Sequence, residues 1–270
     1  MNQPGPLLNR RQLIVGSSAT AAAVALGGCG GKDQPIVRPA GVPVGRFGKK
    51  STAEEVTAGI DLRGRTALIT GANSGLGYEA MRVLAMRGAH VLCAARTLEK
   101  AAAACAGIQG RTTPVAIELT DFPSIVVGTD AVRAMGMPID MLILNAGIMA
   151  LPELEQVNGL EKQFVTNHLG HFIVGNRLLP QVQAAAQGRV VVLTSSGYKW
   201  APESGIEFDN LSGERDYKPN KMYGQSKLAN HLYVRQLAKN LAGSTSTANS
   251  VHPGVIMTNL GRSFPQWQQV

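Results

Sequence analysis

The chain has little of several features that mark specialised protein classes. Only three of its 270 residues are cysteine, which is too few for a disulfide framework, and 5% are aromatic. The net charge is +8, but lysine and arginine form no dense block with interleaved aromatic residues, so we expect no nucleic-acid partner. No apolar run reaches the roughly 20 residues of a transmembrane helix. With 44% apolar residues, the remaining composition fits one globular domain with appendages.

The first 29 residues have the pattern of a targeting segment. Arg10 and Arg11 precede a weakly apolar stretch that ends at Leu26, which resembles a bacterial twin-arginine export signal. Leu26-Gly27-Gly28-Cys29 also resembles a lipoprotein cleavage box, which would leave a lipid anchor on Cys29. We therefore predict an exported, periplasmic and membrane-anchored protein. The alternatives are an uncleaved apolar anchor, or a cytoplasmic protein whose start codon lies too far upstream.

Residues 30–50 are rich in glycine and proline and predict a tether, and residues 51–270 predict the folded domain. Ser51 and Glu54 have the spacing of a capping box at the start of a short helix. Strands and helices then alternate, which predicts an α/β fold whose parallel sheet is covered on both faces. The two longest predicted helices are Leu160–Ala186 and Met222–Leu241. The predicted strands are Thr66–Thr70, His90–Ala95, Val115–Leu119, Met141–Asn145, Arg189–Thr194 and Thr247–His252.

A glycine-rich turn follows the first predicted strand. Gly71, Gly75 and Gly77 allow a tight turn and a close approach of the backbone to a phosphate, and the next helix directs its free N–H groups at that anion. This strand–turn–helix pattern predicts a dinucleotide pyrophosphate site. The other residues predicted to line it are Asn73, Ser74 and Leu76.

Tyr223 and Lys227 are four residues apart at the start of a predicted helix, so they share one face. A phenol has a pKa near 10, and acid–base work near neutrality requires a lower value, which a neighbouring ammonium favours. Tyr217 and Lys221 have the same spacing, but Pro219 lies between them, so we interpret that pair as loop.

Polar residues also follow two predicted strands, at the edge where such sheets bind ligands. The strand from Arg189 ends at Ser195-Ser196, and we choose Ser196 as the donor to a substrate oxygen, although the two serines are interchangeable in this argument. Another predicted strand ends in Asn145-Ala146-Gly147, beside the predicted cofactor path. Asn167 is a polar residue among apolar neighbours in a predicted helix; a buried capping or bridging role is the alternative.

These motifs together resemble the short-chain dehydrogenase/reductase family, in its retinol-dehydrogenase-like and WW-domain-oxidoreductase-like branch. The resemblance extends from residue 51 to about residue 261 and includes YGQSKLAN at Tyr223–Asn230 and HPGVIMT at His252–Thr258. It implies a Rossmann-type doubly wound parallel sheet. After Thr258 the family continues through a lid helix and a last strand, both of which we expect this chain to lack.

The resemblance also implies residue roles. Tyr223 would be the general acid/base, with Lys227 as its partner and as a ribose contact, and Ser196 would bind the reacting oxygen. Asn167 would hold a water that links Lys227 to solvent. Further implied cofactor contacts are Asp121 beside the adenine, Thr258 near the nicotinamide amide, and Pro253 and Gly254 within the HPG motif.

The second strand predicts the choice of cofactor. An acidic residue about 20 positions after the glycine turn would bind the ribose of NAD, but this strand ends in Arg96, whose guanidinium suits a 2′-phosphate. NADP is therefore expected, with NAD less favoured; the alternative is that Arg96 is only a surface residue.

The leading hypothesis is an NADP-dependent oxidoreductase that acts on an alcohol or carbonyl substrate, lipophilic by family resemblance alone, and that forms a homodimer through the two long helices. The alternative is a nucleotide-binding protein of the same fold without turnover. His168 and His171 are three apart on a helix, but no third ligand has a recognisable spacing, so no metal is expected.

Overall fold

A six-stranded parallel sheet forms the centre of this computed structural model, which describes residues 45–48, 50–254, 256 and 260. The strands are β1 Thr66–Thr70, β2 His90–Ala95, β3 Thr112–Ala116, β4 Met141–Leu144, β5 Gln156–Val157, β6 Leu160–Glu161, β7 Arg189–Leu193 and β8 Thr247–Val251. The large sheet has the order β3-β2-β1-β4-β7-β8 with every neighbouring pair parallel, and β5 and β6 form a separate antiparallel pair.

The helices connect these strands. They are α1 Ala53–Val56, α2 Gly75–Met86, α3 Leu98–Ala106, α4 Phe122–Ala134, α5 Lys162–Phe164, α6 Gly170–Gln183 and α7 Pro219–Asn240. A π-helical segment, Val165–Leu169, joins α5 to α6, and two 3-10 segments, Ser196–Trp200 and Phe208–Asn210, follow β7.

Both faces of the sheet are covered by helices. Leu68 in β1 belongs to an apolar cluster that includes residues of α4, α6 and α7, whereas its neighbours Ala67 and Ile69 belong to a second cluster with residues of α2 and α3. Successive side chains of a strand point to opposite faces, so β1 contributes to two cores, and its three central residues are apolar. All five residues of β1 are buried, and the predicted doubly wound α/β fold is confirmed.

The strand order reverses between β1 and β4, which defines where a ligand can enter. From β1 the chain adds β2 and β3 on one side of the sheet, and it then returns to place β4, β7 and β8 on the other side of β1. In sheets of this kind the crevice at the carboxyl ends of the two central strands is the ligand site. The glycine turn after β1 and Asn145 after β4 both lie at this edge.

Several predicted boundaries are wrong. β3 covers Thr112–Ala116, not Val115–Leu119; it is an edge strand, so Pro114 costs no central hydrogen bond. The backbone then leaves the sheet, and Glu118 donates its N–H to the Ser124 hydroxyl near the start of α4. The capping box of α1 joins Thr52 and Glu55, one residue beyond the predicted pair.

The predicted helix Leu160–Ala186 is also wrong in detail. Its first two residues form β6, and the helical part starts at Lys162 and widens into the π-helical segment. α7 starts at Pro219, three residues before the predicted start, because proline at a first helical position needs no hydrogen-bond partner. Lys221 is therefore helical, whereas Tyr217 lies before the helix and donates its hydroxyl to the Leu151 carbonyl, 2.7 Å away.

Within the described ranges, no helix has both the length and the apolar character needed to span a bilayer. The predicted signal segment, Cys29 and most of the tether fall outside the described residues. So does nearly all of the chain after Gly254, where the absence of a lid helix and a last strand was expected.

Candidate active site

The turn between β1 and α2 has the shape of an anion cradle. Gly71 and Gly75 have φ values of +66° and +56°, which favour glycine. A Cβ at Gly77 would overlap the Gly71 carbonyl and lie 2.6 Å from Asn145 Nδ2, so a side chain there has no room. Ser74 is the N-cap of α2, but its side chain makes no capping hydrogen bond. The first N–H groups of α2 are thus left without a side-chain cap, as an incoming phosphate requires.

The remaining predicted residues of this turn surround the same opening. Asn73 and Ser74 are exposed, and Leu76 is half-buried. The turn also contacts β2, because the N–H groups of Gly71 and Ala72 donate to the Ala94 carbonyl.

Thr70 ties the turn to the end of β4. Its hydroxyl accepts from the N–H groups of Asn145 (2.9 Å) and Ala146 (3.1 Å), and its carbonyl accepts from Asn145 Nδ2 (2.9 Å). The Thr70 hydroxyl also lies 2.8 Å from His171 Nε2. Asn145 and Ala146 therefore hold the two central strand ends together, and the sequence analysis missed the contribution of Thr70.

The π-helical segment presents Asn167 to the site. Its side chain is fully buried: Nδ2 donates to the Ile148 carbonyl and the Ser226 hydroxyl, and Oδ1 accepts from the Ile148 N–H. A Cβ at Gly147 would lie 3.3 Å from this Oδ1, so Gly147 faces the amide. The Asn167 amide thus links the segment after β4 to α7, and one acceptor position on Oδ1 remains.

Asn230 and His171 complete this network. Both use the main-chain carbonyl of Asn167: Asn230 Nδ2 donates to it at 3.0 Å, and His171 Nδ1 lies 3.0 Å from it. The wider π turn changes the carbonyl direction, which is a frequent feature of functional sites. Asn230 is the last residue of the YGQSKLAN motif, and the sequence pattern alone indicated no role for it.

Lys227 is buried beside the end of β7. Its Nζ donates to the Leu193 carbonyl at 3.2 Å and lies 5.6 Å from the centre of the Tyr223 ring. A Cβ at Gly147 would be 3.7 Å from Nζ, so the ammonium reaches the same opening as Gly147. Burial lowers the pKa of Lys227 to about 8 because the charged form loses its hydration.

Tyr223 does not have the lowered pKa that the sequence analysis predicted. Burial raises the pKa of its phenol, and a hydrogen bond with the Ser195 side chain opposes this shift. The Lys227 ammonium lies 5.6 Å from the ring centre, and desolvation is the largest influence on the pKa of the phenol. Tyr223 is therefore a protonated phenol at neutral pH, poised to donate.

The structure brings Ser195, and not Ser196, to Tyr223. Ser195 has extended backbone angles, its hydroxyl accepts from the Gly197 N–H at 3.1 Å, and it forms the hydrogen bond with the phenol. Ser196 is exposed, because consecutive side chains in extended backbone point in opposite directions. The influence of Ser195 on the Tyr223 pKa favours Ser195 as the serine nearer the phenol, and the choice of serine that binds the substrate oxygen stays a prediction.

The residues predicted for the adenine side lie at the carboxyl edge of the sheet. Arg96 directly follows β2 and is exposed, next to the strand whose Ala94 holds the glycine turn. The Asp121 carboxylate caps α4 by accepting from the Ser124 N–H at 3.2 Å. Glu118 follows β3, and its carboxylate accepts from the N–H and the hydroxyl of Thr120.

Pro253 and Gly254 follow β8 at the same edge and are exposed, whereas Thr258 lies outside the described residues. His168 is held by Asn230, whose Oδ1 lies 3.1 Å from its Nδ1, and burial lowers the pKa of His171 to about 4. Both histidines thus have structural partners. No group of three or more potential metal-binding side chains occurs among the residues that the structure describes.

Comparison with known proteins gives one consistent family. Residues 65–205 match the family described as short chain dehydrogenase. The chain is 41% identical over 228 residues to the chloroplastic short-chain dehydrogenase TIC 32 B of Brassica napus, which covers 80% of this chain and 71% of that protein. It is 39% identical over 220 residues to retinol dehydrogenase 14 of Homo sapiens, covering 74% of this chain and 64% of that protein.

A solved structure agrees with these sequence comparisons. The crystal structure of an uncharacterised protein from Mycobacterium paratuberculosis is 39% identical and superimposes with a TM-score of 0.65. The match covers 76% of this chain and 73% of that one.

Proposed function

The chain belongs to the short-chain dehydrogenase family and is an NAD(P)-dependent oxidoreductase of alcohol and carbonyl groups, and on that premise we propose that it uses NADP and the residues around Tyr223. The observation that carries this proposal is the convergence of Tyr223, Lys227, Ser195 and Asn167 at the crevice beside the glycine turn. Each of these side chains is held by a partner from a distant segment. Such positioning is what proton transfer to a bound oxygen requires.

The residues at the crevice fit a dinucleotide. The tight glycine turn, with positive φ angles at Gly71 and Gly75, and the start of α2, which no side chain caps, suit a pyrophosphate. Arg96 would hold a 2′-phosphate, and Lys227 would contact the nicotinamide ribose. When bound, the nicotinamide supplies or accepts the hydride.

The protein residues then handle the proton. In the reducing direction, Ser195 donates a hydrogen bond to the substrate oxygen, and Tyr223 transfers its hydroxyl proton to that oxygen as the carbonyl carbon gains the hydride. The neighbouring Lys227 ammonium stabilises the phenolate that remains. Asn167 is a positioning residue whose free acceptor position on Oδ1 can hold a water toward Lys227 for reprotonation.

Arg96 provides the test of cofactor choice. A guanidinium–phosphate contact contributes roughly 1.5–3 kcal/mol, so Arg96→Gln should weaken NADPH binding about 10- to 100-fold and change NADH binding less than about twofold. The measurement is a fluorescence titration with each nucleotide. Arg133→Gln, at an exposed position in α4, is the control and should bind both as the wild type does. A wild type that prefers NADH, or an equal loss for both nucleotides, would contradict the NADP assignment.

We propose that the protein is exported to the periplasm through its twin-arginine pattern and anchored by a lipid on Cys29. Only the sequence supports this, because residues 1–29 lie outside the described residues. Replacing Arg10 and Arg11 together by lysine should move the protein to the cytoplasmic fraction of a bacterial host, with Arg38→Lys as control. Cys29→Ala should release it from membranes. If neither the double arginine variant nor Cys29→Ala changed the fraction in which the protein is found, the export proposal would be wrong and the cytoplasmic alternative would be favoured.

We also propose a homodimer through α6 and α7. Phe172 and Leu232 expose 44% of their surface on these helices, beside a cleft lined by Phe164 and Tyr233. Exposed apolar faces of this kind are common at protein interfaces. Light scattering should give a dimer mass for the wild type and a monomer mass for Leu232→Glu. Val127→Glu, at an exposed apolar position on α4, should remain dimeric; a monomeric wild type would refute the dimer.

A further inference from the structure

The 3-10 segment after Ser195 is fitted tightly against the start of α7. A Cβ at Gly197 would lie 3.0 Å from both the Trp200 ring and the Tyr223 ring. A Cβ at Gly224 would lie 2.6 Å from the Ala201 nitrogen and 2.7 Å from the Trp200 carbonyl carbon. Two glycines, one on each element, therefore allow backbone and rings to approach closely.

Tyr198 anchors the middle of this segment. Its ring stacks on His231 of α7, with the ring centres 5.7 Å apart and the planes 5° apart. His231 Nδ1 in turn lies 3.2 Å from the Ser250 hydroxyl of β8. The segment is thus held along its length, and its last residue has a defined position relative to Tyr223.

That last residue is Trp200, which lies beside the proposed acid/base. The ring centres of Trp200 and Tyr223 are 6.1 Å apart, with their planes inclined by 48°. Tyr223 is 2% exposed, whereas Trp200 is 47% exposed, so one part of the indole covers the phenol and the rest remains open. An exposed indole beside reacting groups offers a flat π surface to the substituent of a substrate bound there.

We propose that Trp200 determines substrate specificity by stacking on a planar, unsaturated group next to the reacting carbon, such as an aryl or conjugated alcohol or carbonyl compound. This inference rests on the proposed function, because it places the reacting oxygen at Tyr223 and Ser195. The adjacent indole then faces the substituent of the reacting carbon. An indole gains most from a flat π system and less from a saturated ring of similar size.

Two alcohols of similar size, one with a planar ring and one with a saturated ring, test the proposal: benzyl alcohol and cyclohexylmethanol, oxidised with NADP by the full chain. The wild type should prefer benzyl alcohol in kcat/KM. Trp200→Leu keeps an apolar side chain without a π face, and the benzyl-to-cyclohexyl ratio should fall roughly three- to tenfold. Trp200→Phe keeps a π face and should retain most of the ratio. An equal fall for both alcohols in Trp200→Leu would show that Trp200 only packs Tyr223, and the proposal would be wrong.

A binding experiment separates this proposal from the proposed function. The chain has two tryptophans, so Trp267→Phe leaves Trp200 as the single indole. In this variant, saturated with NADPH, each alcohol is titrated while Trp200 emission is followed. If neither alcohol is oxidised, the proposed function fails, and this titration decides the role of Trp200. Saturable binding that is tighter for benzyl alcohol supports stacking, whereas equal affinities or no saturable change refute it.

Discussion

Replacing Tyr223 by phenylalanine should lower kcat/KM for carbonyl reduction about 10²- to 10⁴-fold, the usual contribution of a general acid. The variant keeps the ring that packs against Trp200 and Lys227 and loses only the hydroxyl that carries the proton. NADPH binding should therefore remain within about twofold of the wild type. Steady-state rates at pH 7, combined with the fluorescence titration, measure the two effects separately.

The serine pair provides the matched comparison for this prediction. Ser195→Ala removes the hydroxyl that bonds to Tyr223 and should lower kcat/KM about 10- to 100-fold, whereas Ser196→Ala changes an exposed side chain and should have little effect. Unchanged reduction in Tyr223→Phe would refute the mechanism. A wild type that binds NADPH but turns over no carbonyl would favour the non-catalytic alternative.

Replacing Lys227 by methionine should make the protein more stable at pH 7 and abolish most activity. Burial lowers the pKa of Lys227 from 10.5 to about 8, so the charged form is disfavoured in the folded state by about 3 kcal/mol at 1.36 kcal/mol per pKa unit. Methionine removes this cost but also the hydrogen bond to the Leu193 carbonyl. We expect a net gain of about 1–3 kcal/mol in the free energy of unfolding, measured by urea denaturation.

The pH dependence identifies the cause of that gain. Between pH 8 and 10.5 the unfolded chain binds the Lys227 proton and the folded chain does not, so wild-type stability should rise with pH relative to the variant. The difference should be largest below pH 8 and fade by pH 10.5. Lys239→Met, at an exposed position in α7, is the control and should change stability by less than about 0.5 kcal/mol. A Lys227→Met variant that is less stable at pH 7 would contradict the argument.

The sequence predicted which strands and helices exist better than it predicted their first and last residues. All six strands of the large sheet were expected, and the reason is clearest for β1 and β2, since strands buried throughout are mainly apolar runs that are readable locally. The edge strand β3 was misplaced, since its Thr112-Thr113-Pro114 start is not apolar and is accepted only at the edge of a sheet. The π-helical turn at Asn167 was not expected either, because Asn167 makes its hydrogen bonds with residues of other segments: Ile148, Ser226 and Asn230.

By itself, the sequence determined the glycine turn at Gly71–Gly77 and the Tyr223–Lys227 spacing, because backbone freedom and helical periodicity act within a few residues. Only the tertiary structure decided that Ser195 faces the phenol. It likewise decided that Thr70 meets His171, 101 residues further along the chain, and that Lys227 is buried deeply enough to lower its pKa to about 8. These properties depend on side-chain direction, desolvation and contacts between distant segments, which arise only when the elements pack together.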